Sequence, residues 1–238
     1  PMSEHDIYDG ANWHHLAIGT GGRGEKLIYG VRSPLNQTGT ANRNPGLSDF
    51  VWETGPDLID TGTLTLGHLT TAVRSGQTAH GEWIAITTSG HYNGRTDGAR
   101  TGLVVLNAMT GEVIRTIPLP GGYDAGRGLG GVTLVRNEDK RIVAAYAGDA
   151  NGHLWRFDLR GAPATWGVSY GQPLFTTANN RPIYGAPAWQ SHPNGGAIVV
   201  VATGILLEDT DLAAPPENES IYGIWDPTRI GEADATPF

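Results

Sequence analysis

The 238-residue sequence predicts an all-β fold assembled from blade-like repeats, and three observations carry that expectation. A short strand that ends in a polar residue and a turn recurs four times. The runs before it are almost continuously apolar, rich in Val, Ile and Thr, as strands buried on both faces are. Finally, no segment sustains an i, i+3, i+4, i+7 apolar pattern over three turns without a glycine or proline, so helices have no footing.

The recurring strands are Leu27–Arg32, Leu103–Asn107, Leu154–Asp158 and Tyr222–Asp226. Their terminal polar residues fall at positions 32, 107, 158 and 226, giving spacings of 75, 51 and 68. That interval suits a four-stranded W-shaped blade with variable loops, hence a β-propeller. A jelly roll or sandwich would tolerate the same irregularity and stands as the alternative. A second run precedes each: Leu16–Gly19, Trp83–Thr87, Ile142–Tyr146 and Ala197–Val201. Three units show a third strand earlier still, at Leu69–Val73, Gly131–Val135 and Gly185–Trp189, and Glu112–Ile117 reads as an outer fourth strand. The resulting blades are approximately 11–60, 66–120, 128–180 and 183–230 within one partial propeller domain over 1–238. Trp155 is expected to be largely buried, on a strand interior to its blade.

Composition agrees with many short strands and tight turns, since 35 glycines and 15 prolines are dispersed among apolar runs. With 16 basic and 24 acidic residues the net charge is −8, and no basic stripe forms, which disfavours nucleic acid or an anionic membrane as partner. Cysteine is absent, excluding thiol catalysis, Cys-ligated zinc and disulfides. No apolar run approaches the length of a transmembrane helix, and the start Pro1-Met2-Ser3-Glu4-His5 lacks the features of a signal peptide, so either the chain is cytosolic or its N-terminal part is missing, and the blades favour the second.

The stretch Tyr146-Ala147-Gly148-Asp149-Ala150-Asn151-Gly152-His153-Leu154-Trp155-Arg156-Phe157-Asp158-Leu159 resembles the YAGD-x-x-G-x-LWRFDL signature of the PilY/PilC family of type IV pilus tip proteins. Trp83 to Tyr92, Gly102 to Gly111, Gly204 to Leu212 and Ile221 to Asp226 resemble the same family in the same order, so the likeness runs from about Ala11 to Asp226. The resemblance implies a quinoprotein-like propeller larger than this chain, of which these are about four blades. Four blades do not close a ring, and two apolar blade faces would be left open. It also implies a secreted, non-catalytic adhesin and pilus biogenesis factor at the pilus tip or outer-membrane surface, with minor pilins and a host or abiotic surface as partners. Tyr146, Gly148, Asp149, Gly152, Trp155, Phe157, Asp158, Trp225 and Asp226 are its structural signature residues.

Many family members carry a D-x-D-x-D-G-x-x-D calcium loop before the YAGD strand, where clustered carboxylates supply the oxygens the ion needs. Here Arg136-Asn137-Glu138-Asp139-Lys140-Arg141-Ile142-Val143 stands in that place, one residue short and with cations where negative charge should gather. The expectation is a plain hairpin turn over Asn137 to Lys140, no metal and no cofactor. The remaining calcium candidates are Asp149 with Asn151, in a D-x-N-G that also suits a β-turn, and Glu208, Asp209 and Asp211, in what also suits a solvated loop.

Other motifs carry less. Gly19-Thr20-Gly21-Gly22-Arg23-Gly24 satisfies G-x-G-x-x-G, but a strand follows it where a dinucleotide site needs a helix. Gly126 to Gly131 reads as an inter-blade connection. No HExxH, no helical His pair and no G-x-S-x-G elbow occurs, and no catalytic residue is assigned. The seven tryptophans are assigned mainly to core and blade-interface packing, and an exposed one would be free to anchor a ligand. A dehydrogenase dependent on pyrroloquinoline quinone is the second functional reading, because Asn107-Ala108-Met109-Thr110-Gly111 echoes the blade turns of such enzymes; a purely structural scaffold is the third.

Overall fold

A computed structural model describes residues 1–33, 44, 46–59, 64–92, 100–123, 128–213 and 218–235. Its strands form four antiparallel sheets in chain order. The first contains β1 (Met2–Tyr8), β2 (Trp13–Thr20), β3 (Ile28–Arg32) and β4 (Phe50–Thr54). The second contains β5 (Arg74–Gln77), β6 (Trp83–Thr88), β7 (Gly102–Asn107) and β8 (Val113–Pro118). The third runs β9 (Leu129–Arg136), β10 (Ile142–Asp149) and β11 (His153–Asp158), its outer edge completed by β12 (Gly167–Val168) and β13 (Phe175–Thr176). Both short strands pair with β11, which is therefore interior. The fourth contains β14 (Ala188–Ser191), β15 (Ala197–Ala202) and β16 (Ile221–Asp226).

Hydrophobic packing explains why the sheets stack in this order. One core lies between the first and second sheets and joins Ile7, Leu16 and Ile18 to Ala85, Val104 and Leu106. Another joins Ile84, Ile86, Leu103 and Val105 of the second sheet to Ala145, Ala147, Trp155 and Phe157 of the third. The last joins Ala144, Tyr146 and Leu154 to Ala197, Val199 and Val201 of the fourth. Successive residues of β6, β7 and β10 thus enter opposite cores, so both faces are buried and the apolar runs are continuous. Among the described residues, the fourth sheet has one covered face. Val199 is fully buried there, whereas Val200, Ile221 and Trp225 on the other face are 39%, 78% and 42% exposed.

Several expectations need correction. The first sheet begins at Met2 instead of Ala11, because β1 pairs along its whole length with β2 although Ile7 is its single fully buried residue; its expected end at 60 lies outside the described residues. Leu69–Val73 is a connection: its carbonyls at Leu69 and Val73 accept the Thr20 and Ser3 hydroxyls, and the strand is Arg74–Gln77. The third strand of the last unit is displaced from 185–189 to Ala188–Ser191, and that sheet has three strands among the described residues. Of the glycine run 126–131, residues 126 and 127 lie outside the described residues, and Leu129–Gly131 open β9. The two α-helices, Pro56–Ile59 and Asp209–Ala213, are single turns, and among the described residues no helix is long and apolar enough to cross a membrane.

Candidate functional site

The signature stretch folds into a hairpin whose turn is organised by one carboxylate. Asp149, 2% exposed, accepts the Asn151 and His153 backbone N–H groups on Oδ1 at 2.8 and 2.9 Å. Its Oδ2 accepts His153 Nδ1 at 2.8 Å and the Trp155 indole N–H at 2.8 Å. Two glycines make the turn fit. Gly152 has φ 84°, the left-handed region. A Cβ on Gly148 would stand 2.2 Å from Ile183 Cγ2, so the strand passes too close to the next connection for any side chain. Trp155 and Phe157 are fully buried in the core between the second and third sheets. Asp158 closes the strand with a bidentate contact to Arg160 at 2.9 and 2.6 Å; burial pushes its carboxyl up, and the Arg160 hydrogen bonds outweigh this and hold it below the usual range.

Asp226, fully buried, joins the third sheet to the fourth. It accepts the Tyr146 hydroxyl at 2.5 Å and the Tyr170 hydroxyl at 2.7 Å, and Arg156 Nε lies 2.9 Å away as an ion pair. Arg156 Nη1 also reaches Asp234 and Ser169. Burial works against the Arg156 charge, but Asp226 and Asp234 hold its pKa above the ordinary value. Burial, followed by the Asp226 charge, pushes the Tyr146 hydroxyl pKa upward, so it stays a donor. Sequence reasoning missed Arg156, Tyr170 and Asp234, because no local pattern announces partners 56 to 80 positions apart. Trp225, grouped with these residues by the signature, instead sits on the uncovered face.

The other candidates disperse. Glu208 pairs with His91 Nε2 at 2.7 Å, a part-buried contact across 117 positions that the sequence did not reveal, so it is not a fully solvated loop residue. Asp211 Oδ2 accepts the Leu207 and Glu208 backbone N–H groups at 2.8 and 2.9 Å, and Asp209 is exposed at the start of the short helix. Among the described residues, no three His, Asp or Glu side chains converge as metal ligands would. The 136–143 turn is closed by Asn137 N–H to the Arg141 carbonyl at 2.9 Å, and Asn137 Oδ1 accepts the Arg141 N–H at 2.9 Å. Gly21 to Gly24 form a tight turn leading to β3, with no helix.

Comparison with known proteins places this geometry. The family model described as the PilY1 beta-propeller domain matches residues 2–237. Type IV pilus biogenesis factor PilY1 of Pseudomonas aeruginosa strain PAO1 is 30% identical over 253 residues, covering 96% of this chain and 20% of that protein. A Xylella fastidiosa PilY1 homolog is 28% identical, covering 93% of this chain and 16% of its own length. The chain therefore spans about a fifth of these relatives. The crystal structure of the Pseudomonas aeruginosa PilY1 C-terminal domain superposes with a TM-score of 0.79 at 26% identity, over 98% of this chain and 50% of that one. With four stacked antiparallel sheets and a family match across nearly every residue, the chain belongs to the PilY1 β-propeller domain family.

Proposed function

We propose that this chain supplies blades of a non-catalytic propeller in a type IV pilus biogenesis factor. The protein acts at the pilus tip or outer-membrane surface, works with minor pilins in assembly, and attaches to host or abiotic surfaces. The observation that carries the reading is the family match over residues 2–237, together with relatives named as pilus biogenesis factors. The side chains of the signature support a structural role for it: Asp149 holds four donors and Asp226 joins two sheets, so both serve the packing of the blades.

The test is a chimera in which this chain replaces the matching segment of Pseudomonas aeruginosa PilY1, in a strain lacking the native protein. Surface pili and attachment should return. An exported, folded chimera that leaves the cells without pili would overturn the assembly role, and pili without attachment would reduce the propeller to a scaffold. The dehydrogenase reading draws on the Asn107 turn, but Asn107 Oδ1 accepts the Met109 and Thr110 N–H groups at 2.8 and 3.1 Å, which is ordinary turn chemistry. Alcohol-dependent dye reduction with pyrroloquinoline quinone and calcium would restore it.

A further inference from the structure

The hairpin ends of the first three sheets meet at a groove that the signature residues do not enter. Trp13, at the start of β2, is 66% exposed, and Tyr8 opposite it is 38% exposed. Their rings lie 5.3 Å apart, and Trp13 meets Trp83 of the second sheet edge-on at 5.9 Å. Trp13, Trp83 and Gln77 line one side of a hollow of about 440 Å³, and Arg136, Lys140 and Arg141 from the β9–β10 turn line another. Gln77 and Trp83 also border a neighbouring hollow of about 490 Å³, together with Tyr8 and Asn107. Each is within the usual size of ligand sites, about 300–1,000 Å³. An exposed aromatic platform beside convergent polar groups is an informative exception to burial.

The charge lining this groove tips positive, with Arg136, Lys140 and Arg141 against Glu4 and Asp6. The chain carries net −8, yet Arg74, Arg136, Lys140 and Arg141 form no salt bridge among the described residues. One rim carboxylate is hydrogen-bonded, Asp6 Oδ1 with His15 Nδ1 at 2.8 Å, while Glu4 lies 3.8 Å from His15 Nε2. Arg136 makes one bond, from Nη2 to the Ser75 carbonyl at 2.8 Å. Burial, and then the Arg74 charge, hold its pKa below the ordinary arginine value.

We propose that this groove binds an acidic saccharide, a uronate-bearing glycan. The flat C–H face of a pyranose ring lies on Trp13, its carboxylate is taken by Arg136 and Arg141, and Gln77 bonds its hydroxyls. An acidic peptide is the weaker fit, because strand addition needs a free backbone edge. The β5 edge is occupied: Ser75 O holds Arg136, Val73 O holds the Ser3 hydroxyl, and Thr78 bridges to Ile142. The inference names the class of molecule for the adhesive part of the proposed role and rests on that reading only for its biological setting.

The experiment is calorimetric and tryptophan-fluorescence titration of the intact protein with oligogalacturonate, its methyl ester, and poly-glutamate. Binding measured in solution is independent of pilus assembly, so the two can fail separately. Oligogalacturonate should bind with salt-sensitive affinity, and the neutral ester about tenfold or more weakly. Trp13→Ala, and separately Lys140→Gln with Arg141→Gln, should each cost about tenfold. Their thermal midpoints should match the wild type, since these side chains are at the surface. No saturable binding, or affinity untouched by Trp13→Ala, would overturn the proposal. Poly-glutamate bound as tightly, with the same loss in Trp13→Ala, would overturn it in favour of an acidic peptide.

Discussion

Strand β10 is bracketed by two hairpin turns, each built around an Asx residue, and the two do opposite things. Before it, Asn137–Arg141 turns in solvent, with Glu138, Asp139 and Lys140 exposed and the Asn137 side chain serving only its own backbone. After it, Asp149–Gly152 turns inside the protein, and the Asp149 carboxylate reaches past the turn to His153 and Trp155. The difference lies in what the next strand delivers. β11 brings an imidazole and an indole N–H to Asp149, so the turn is welded to the core, whereas the Asn137 side chain accepts only the Arg141 backbone N–H within its own turn, before β10 opens at Ile142. A turn motif therefore sets local geometry, and its neighbours decide whether the turn carries stability or presents charge.

The sharpest way to break the contrast is Trp155→Ala. Trp155 is fully buried, and emptying an aromatic core site costs about 3–5 kcal/mol. Urea denaturation should show that loss, and a change below about 1 kcal/mol would mean the indole is not seated as described. Next comes Asp149→Ala, which strands two side-chain donors and two backbone donors in a nearly closed environment and should cost about 3 kcal/mol. The two losses should fall short of additive, because one hydrogen bond is counted in both; strict additivity in a double-mutant cycle would argue that Asp149 acts without the indole.

The same contrast shows what the sequence makes legible. Strands β6, β7, β10, β11 and β15 were readable because their apolar runs record burial, on both faces for the first four. β1 was not, since Met2-Ser3-Glu4-His5-Asp6-Ile7-Tyr8 is an edge strand that buries one side chain fully. Leu69 to Val73 misled for the converse reason: Leu69 and Val73 are buried and apolar, but their carbonyls are satisfied by hydroxyls of the first sheet instead of a ladder. At the candidate site, the D-x-N-G turn was visible as turn chemistry, while the pairing of Asp226 with Tyr146 and of Glu208 with His91 exists only once distant blades are stacked.

A smaller effect of opposite sign is expected in the exposed turn. Lys140 has φ 63°, in the left-handed region where a side chain is strained and glycine is not. This is the position a three-residue hairpin loop usually gives to glycine. Lys140→Gly should therefore stabilise the protein by about 0.5–1 kcal/mol in the same denaturation experiment. A loss would show that the lysine side chain contributes a contact that outweighs its backbone strain.

The smallest expected effect is that of calcium, and it separates the two turns most cleanly. A calcium site needs six to eight oxygens within about 2.3–2.6 Å. In the Arg136–Val143 turn, Asn137 Oδ1 is committed to the Arg141 N–H, the Asn137 carbonyl to the Lys140 N–H at 3.0 Å, and the Arg141 carbonyl to the Asn137 N–H. Glu138 and Asp139 remain, beside two cations that repel the ion. In the other turn Asp149 already holds four donors, all of which a metal would have to displace. Saturating calcium at a hundredfold over Kd would add about 2.7 kcal/mol. For a chain of this size that is a rise in Tm of roughly 5–10 °C. We expect none: thermal unfolding in about 10 mM calcium and in excess chelator should give midpoints within about 1 °C, since even a site with Kd near 10⁻⁴ M would be filled at that concentration. A rise of several degrees would show that carboxylates from the exposed turn gather around an ion after all. If Asp139→Asn abolished that rise, the site would be assigned to this turn, and if only Asp149→Asn did so, to the buried one.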